Sequence, residues 1–171
     1  MEERLIRVGI THGDINGIGY EVILKTFSDL RIADLCTPII YGSSKIAAYH
    51  RKALDLQPVN ISIISQAEEA GLNRINIINC ADEEAKVELG KSTTIAGEAA
   101  FKALEAAVND LKRGVIDVLV TAPINKHNIQ NDQFHFPGHT EYLEEAFGGP
   151  GKKALMILMS NNLRVALVTG H

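Results

Sequence analysis

Short β-branched runs alternate with longer amphipathic stretches along the whole chain, and this restricts the folds open to it. The runs at 4–10, 37–41, 60–64, 74–78, 115–121, 154–159 and 163–169 read as strands. The first is expected to be buried at Leu5, Ile6, Val8 and Ile10. Between the strands, apolar residues recur at helical spacing. Val22, Ile23, Thr26, Phe27 and Leu30 share a face of a helix over 18–30, and Ile46, Ala47, Tyr49, His50 and Leu54 lie on a helix that Ser43 or Ser44 can cap.

The longest helix spans 93–113. Its stripe is Ala96, Ala99, Ala100, Ala103, Leu104, Ala107, Val108 and Leu111, and Gly114 stops it. Small alanines on one face let a helix lie close to a sheet. A polar stretch at 81–92 without clear period reads as a loop. A shorter helix is expected from Thr140, with Leu143, Ala146 and Phe147 inward and Gly148, Gly149, Pro150 and Gly151 ending it. The turn Asn161-Asn162 joins the last two strands.

Strands separated by helices imply an α/β fold with a largely parallel sheet, because parallel neighbours need long crossovers. The continuous apolar run at 115–121 is the kind expected in a parallel sheet covered on both faces.

Several classes of function are excluded. The net charge of −4 leaves no excess of Lys and Arg to neutralise a nucleic-acid backbone. No apolar run approaches the roughly 20 residues of a membrane span, and the acidic start Met1-Glu2-Glu3-Arg4 is not that of a signal peptide. Cys36 and Cys80 stand far apart in no metal or redox spacing, as expected of two reduced cysteines in a cytoplasmic protein.

The chemistry-bearing residues gather at the predicted carboxyl ends of strands, where open α/β sheets place their ligands. Gly13-Asp14-Ile15-Asn16-Gly17-Ile18-Gly19 joins the first strand to the first helix, a geometry that can present backbone N–H groups to an anion. A dinucleotide fingerprint from Gly17 fails at Val22, and a Walker A loop from Gly13 fails at Ile18 and Gly19. A structural turn and a ligand loop both remain open. Asp14 is either a turn residue or a ligand contact, and His12 a partly exposed surface histidine or a ligand contact.

Thr121-Ala122-Pro123-Ile124-Asn125-Lys126 ends another strand, and Lys126 is either a solvated cation or a point charge for a phosphate or carboxylate. In Phe136-Pro137-Gly138-His139-Thr140-Glu141, Thr140 can serve as an N-cap and Glu141 suits the positive helix end. That leaves His139 available to a ligand at a helix N-terminus. His171 follows the last strand. One histidine makes no metal site, since zinc takes three protein ligands, and nothing near it in sequence supplies the others.

Together these segments, with Glu21 and Leu163-Arg164-Val165-Ala166-Leu167, resemble in order and spacing the 4-hydroxythreonine-4-phosphate dehydrogenases of pyridoxal phosphate synthesis. The resemblance covers the whole chain but only the N-terminal half of such an enzyme. It implies an isocitrate/isopropylmalate dehydrogenase-like α/β/α sandwich, one half of a two-domain enzyme acting as a homodimer, with a first α/β/α domain over 1–138 and the incomplete start of a second over 139–171. It also implies NAD and a divalent metal as cofactors, the metal being zinc, with magnesium or cobalt as alternatives. By the same resemblance His139 and Thr140 bind the phosphorylated small-molecule substrate and His171 is the first of three metal histidines, while no catalytic residue is assigned. The chain departs from the family pattern at Ile15-Asn16 (usually Pro-Ala), at Tyr20 (usually proline) and at His12, which bears on the first loop's shape and on the substrate. Phosphorylated four-carbon sugar acids such as 4-phosphoerythronate or the threonate are the competing substrates. An acyltransferase of similar fold, such as a phosphate acetyltransferase, is the competing class. The 171 residues alone are expected to be inactive.

Overall fold

The computed structural model describes residues 5–29, 31–82, 84–149 and 151–168, so His171 and the Leu30 expected on the first helix lie outside it. The chain divides into two compact units, Met1–His135 and Phe136–His171.

The first unit is built on a five-stranded parallel sheet in the order β3-β4-β2-β1-β5. The strands are β1 (Arg7–Thr11), β2 (Thr37–Gly42), β3 (Ile61–Ile64), β4 (Ile75–Asn79) and β5 (Val118–Thr121). Helices α1 (Gly19–Thr26), α2 (Ile32–Leu35), α3 (Ser44–Ala53) and α4 (Thr94–Lys112) connect them. β2 lies at the centre and is buried along its length. Its side chains alternate between two apolar layers: Ile40 packs with Ile23 of α1, Phe27 at that helix's C-cap, and Ile46 and Ala47 of α3, while Ile39 and Tyr41 pack with Ala103 and Ala107 of α4. The chain therefore leaves β1 towards β2 by one face and returns to β5, on β1's other side, by the opposite face. That reversal makes the carboxyl ends of β1 and β5 a topological switch point.

The helix ends follow their local chemistry. Ser43 accepts from the Ile46 amide at 3.3 Å and Thr93 from the Ala96 amide at 3.3 Å, each as an N-cap. The expected alanine stripe of α4 is buried from Ala96 to Val108, and Gly114 takes φ 71° beyond its end. α1 is rotated from expectation: Tyr20, Ile23, Leu24 and Phe27 face inward, and Val22 is 50% exposed. This set also satisfies i, i+3, i+4, i+7, so periodicity alone did not separate it from the expected one. Ile6, just before β1, is exposed rather than buried, as is Tyr49 of α3. Among the described residues β5 is not covered on both faces and is an edge strand paired with β1 alone, with Leu119 against the α4 layer and Val118 and Val120 exposed opposite.

The second unit holds α5 (His139–Phe147) and the antiparallel ribbon of β6 (Ile157–Ser160) and β7 (Leu163–Ala166). Leu143, Ala146 and Phe147 were expected inward, but α5 has no buried residue. A segment this short builds little core of its own. Instead, Phe136 packs edge-on against Tyr142 with centroids 5.4 Å apart, and Glu144 accepts from the Ala154 amide at 2.7 Å. Both strands of the ribbon are exposed throughout.

α4 passes so close to the loop after β5 that a Cβ at Gly97 would meet the backbone of Asn128 and Ile129. On helix propensity, Gly97→Ala should stabilise by about 1 kcal/mol. We expect the opposite sign, a loss of about 1–3 kcal/mol in urea unfolding, because backbone cannot step aside as a side chain can. A raised midpoint would refute the close approach.

Candidate functional site at the carboxyl ends of β1 and β5

The residues after β1 and after β5 are bound to each other. The Asp14 amide donates to the Pro123 carbonyl at 2.9 Å. One Asp14 carboxylate oxygen accepts from the Asn16 amide at 2.8 Å, and the other from Asn128 Nδ2 at 3.1 Å. Gly13 takes φ 70°, and a Cβ there would strike the Pro123 carbonyl, so this position needs glycine for both conformation and space. Asp14 is thus a turn residue that also bridges two loops.

Asn16 extends the network. Its Nδ2 donates to the Lys91 carbonyl at 2.9 Å and to Thr93 Oγ1 at 3.0 Å, and its Oδ1 accepts from the Glu88 amide at 2.7 Å. The same Thr93 hydroxyl caps α4. One side chain therefore ties the β1–α1 turn to the amino end of the longest helix.

His12 is not a surface histidine. It is fully buried, and its ring stacks on Tyr20 with centroids 5.2 Å apart. Neither ring nitrogen meets a hydrogen-bond partner in good geometry. Burial away from water holds its pKa down to about 4, against weak support for the charged form from the Gly13 and Ala99 backbones. His50 is buried too, and desolvation pushes its pKa down. Burial pushes the Cys80 thiol up to about 12, which suits an unreactive free cysteine.

Beyond β5, Asn125 Oδ1 accepts from the amides of His127 at 3.0 Å and Asn128 at 3.4 Å, forming a turn that leaves Lys126 exposed. In the second unit, Thr140 is not the N-cap. Gly138 takes that place and has no side chain to cap with, so His139 and the exposed Thr140 stand in the first turn of α5 with Glu141. His171 lies outside the described residues. Among those residues, no group of three His, Cys, Asp or Glu could hold a metal, and no helix is long and apolar enough to cross a membrane.

Residues 34–171 match the family described as pyridoxal phosphate biosynthetic protein PdxA. The chain belongs to that family. It is 64% identical, over its whole length, to a 4-hydroxythreonine-4-phosphate dehydrogenase of Bacteroides thetaiotaomicron, of which it covers 46%. It is 34% identical, again over its whole length, to a D-threonate 4-phosphate dehydrogenase of Cupriavidus necator, of which it covers 51%. Among solved structures, the crystal structure of a 4-hydroxythreonine-4-phosphate dehydrogenase from Burkholderia phymatum matches 98% of this chain and 50% of its own, with TM-score 0.84 and 30% identity. The chain thus spans about half the length of the PdxA-family relatives it matches.

Of the sequence-derived candidates, Asp14 lies with the loop carrying Lys126. Asn16, Tyr20, His50 and Asn128 were missed as working residues. Tyr20 and Asn16 had shown only as departures from the family pattern; His50 had read as one more inward helix residue, and Asn128 carried no signal.

His12 also yields a pH prediction. The folded state keeps this histidine neutral, whereas the unfolded chain takes up a proton below about 6.5. Its contribution to stability is intact above that value and is lost as pH falls towards about 4. The loss should total about 3 kcal/mol. His12→Phe, which keeps a ring in the stack, should flatten that part of the pH dependence in urea unfolding. An unchanged slope would rule out a neutral buried His12.

Proposed function

We propose that the whole protein is an NAD- and divalent-metal-dependent dehydrogenase of a phosphorylated hydroxy acid. The reaction is oxidation of 4-phosphohydroxy-L-threonine to 2-amino-3-oxo-4-phosphobutanoate, a β-keto acid that decarboxylates to 3-amino-2-oxopropyl phosphate. A cytoplasmic homodimer belongs to the same proposal. The observation that carries it is the 64% identity to a 4-hydroxythreonine-4-phosphate dehydrogenase across every residue of this chain. The geometry at α5 supports the substrate class. Its first turn offers backbone N–H groups at the positive end of the helix, with the exposed Thr140 in the same turn and Gly138 in the capping place.

In this reading His139 and Thr140 bind and orient the substrate phosphate, fixing the carbon chain for oxidation at its hydroxyl carbon. The chemistry NAD supplies when bound is hydride acceptance. The described residues do not by themselves fit either cofactor. They contain no metal donor set, and the β1–α1 turn spends its approach on the Pro123 carbonyl rather than on a dinucleotide. Both cofactors belong to the protein as a whole, with His171 as one metal ligand. The 34% identity to a D-threonate 4-phosphate dehydrogenase favours a second substrate, a phosphorylated four-carbon sugar acid.

The full-length protein should reduce NAD with 4-phosphohydroxy-L-threonine faster than with 4-phosphoerythronate, and the 171-residue chain alone with neither. His139→Ala and Thr140→Val should each raise KM for the phosphorylated substrate about 10- to 100-fold, the worth of a hydrogen bond to a charged group. Preference for the sugar acid would establish the second reading. No NADH from either acid, with coenzyme A bound instead, would overturn both.

A further inference from the structure

A column of three rings lies beneath the β1–α1 turn. His12 stacks on Tyr20 and Tyr20 on His50, each pair with centroids 5.2 Å apart and interplanar angles of 11° and 27°. All three residues are buried, at 0%, 0% and 2% exposure, so none can touch a substrate. Gly42 makes the room, since a Cβ there would run into the Tyr20 hydroxyl and the His12 ring. The polar edges of the column are spent on backbone. Tyr20 accepts from the Ser43 amide at 2.8 Å and donates to the Ser43 carbonyl at 3.1 Å. His50 Nε2 lies 2.7 Å from the Ile15 carbonyl, a contact in which the ring must donate.

Ile15 stands between Asp14 and Asn16, the two residues that tie the turn to its neighbours. Asp14 holds the loop after β5 through Pro123 and Asn128, and Asn128 shares the Asn125-centred turn with Lys126. A connected path of hydrogen bonds and covalent neighbours therefore runs from the buried rings to an exposed ammonium at the carboxyl edge of the sheet. We propose that His12, Tyr20 and His50 are positioning residues: the column sets the height of the β1–α1 turn, Asp14 passes that height to the loop after β5, and the loop places Lys126 against an anionic group of the substrate. This rests on the reading of the protein as a dehydrogenase of a phosphorylated acid.

The test uses the full-length protein. Tyr20→Phe keeps the stack but deletes both bonds to Ser43, His50→Leu removes the donor to Ile15, and His50→Gln supplies an amide donor in its place. Tyr20→Phe and His50→Leu should raise KM for 4-phosphohydroxy-L-threonine about tenfold with kcat little changed, and His50→Gln should recover most of the loss. On a Lys126→Met background Tyr20→Phe should add nothing, since both changes remove the same contact. Independent, multiplying effects in the double variant, or lowered stability with unchanged KM, would show the column to be core packing and overturn the proposal. A wild-type protein that oxidises neither phosphorylated acid defeats the functional reading by itself. Amide hydrogen exchange then decides for the column: Tyr20→Phe must accelerate exchange at both 13–17 and 125–129, and acceleration confined to the first segment overturns it.

Discussion

The backbone bond from the Asp14 amide to the Pro123 carbonyl holds together what the topology would otherwise leave apart. β1 and β5 are neighbours in the sheet but more than a hundred residues apart in the chain, and the loops beyond them are free to splay. The bond closes that gap, and Gly13 permits it by taking a left-handed conformation with no side chain in the way. Around it gather the Asp14–Asn128 bond, the Asn16 network and the close approach of α4 at Gly97. The glycine-rich turn, whose spacing matches neither standard phosphate loop, is thus used for close packing between loops.

Three buried side chains near this junction are accommodated in two ways: a polar group removed from water is hydrogen-bonded, or, if titratable, it sheds its charge. Tyr20 pairs with both backbone groups of Ser43, and His50 with the Ile15 carbonyl. His12 takes the second course, staying neutral within a stack of rings. At Ile15 and Tyr20 side-chain-to-backbone hydrogen bonds hold the chain, so the order of the turn comes from tertiary contacts.

The strand-and-helix alternation, the caps at Ser43 and Thr93 and the alanine stripe of α4 were legible in the sequence, because each depends on residues within a few positions of one another. The segments that carried the family resemblance were legible for a similar reason: short contiguous runs such as Thr121–Lys126 and Pro137–Glu141 keep their identity without reference to the fold. The facing of α1, the edge position of β5 and the burial of His12 were not legible. Tyr20 and Val22 are both apolar enough to point inward, and only the presence of α3 and its His50 on that side decides between them.

The sequence by itself determined the class of fold, the PdxA family and the elements at whose ends polar residues gather, since period, capping and local motif are short-range properties. Tertiary structure alone decided that Asp14 reaches Asn128, that Asn16 reaches Thr93, and that His12, Tyr20 and His50 form one column. Those pairs are separated by up to 114 positions. What brings them together is the order of strands in the sheet, which sets β1 between β2 and β5 and so makes neighbours of residues that no local pattern connects.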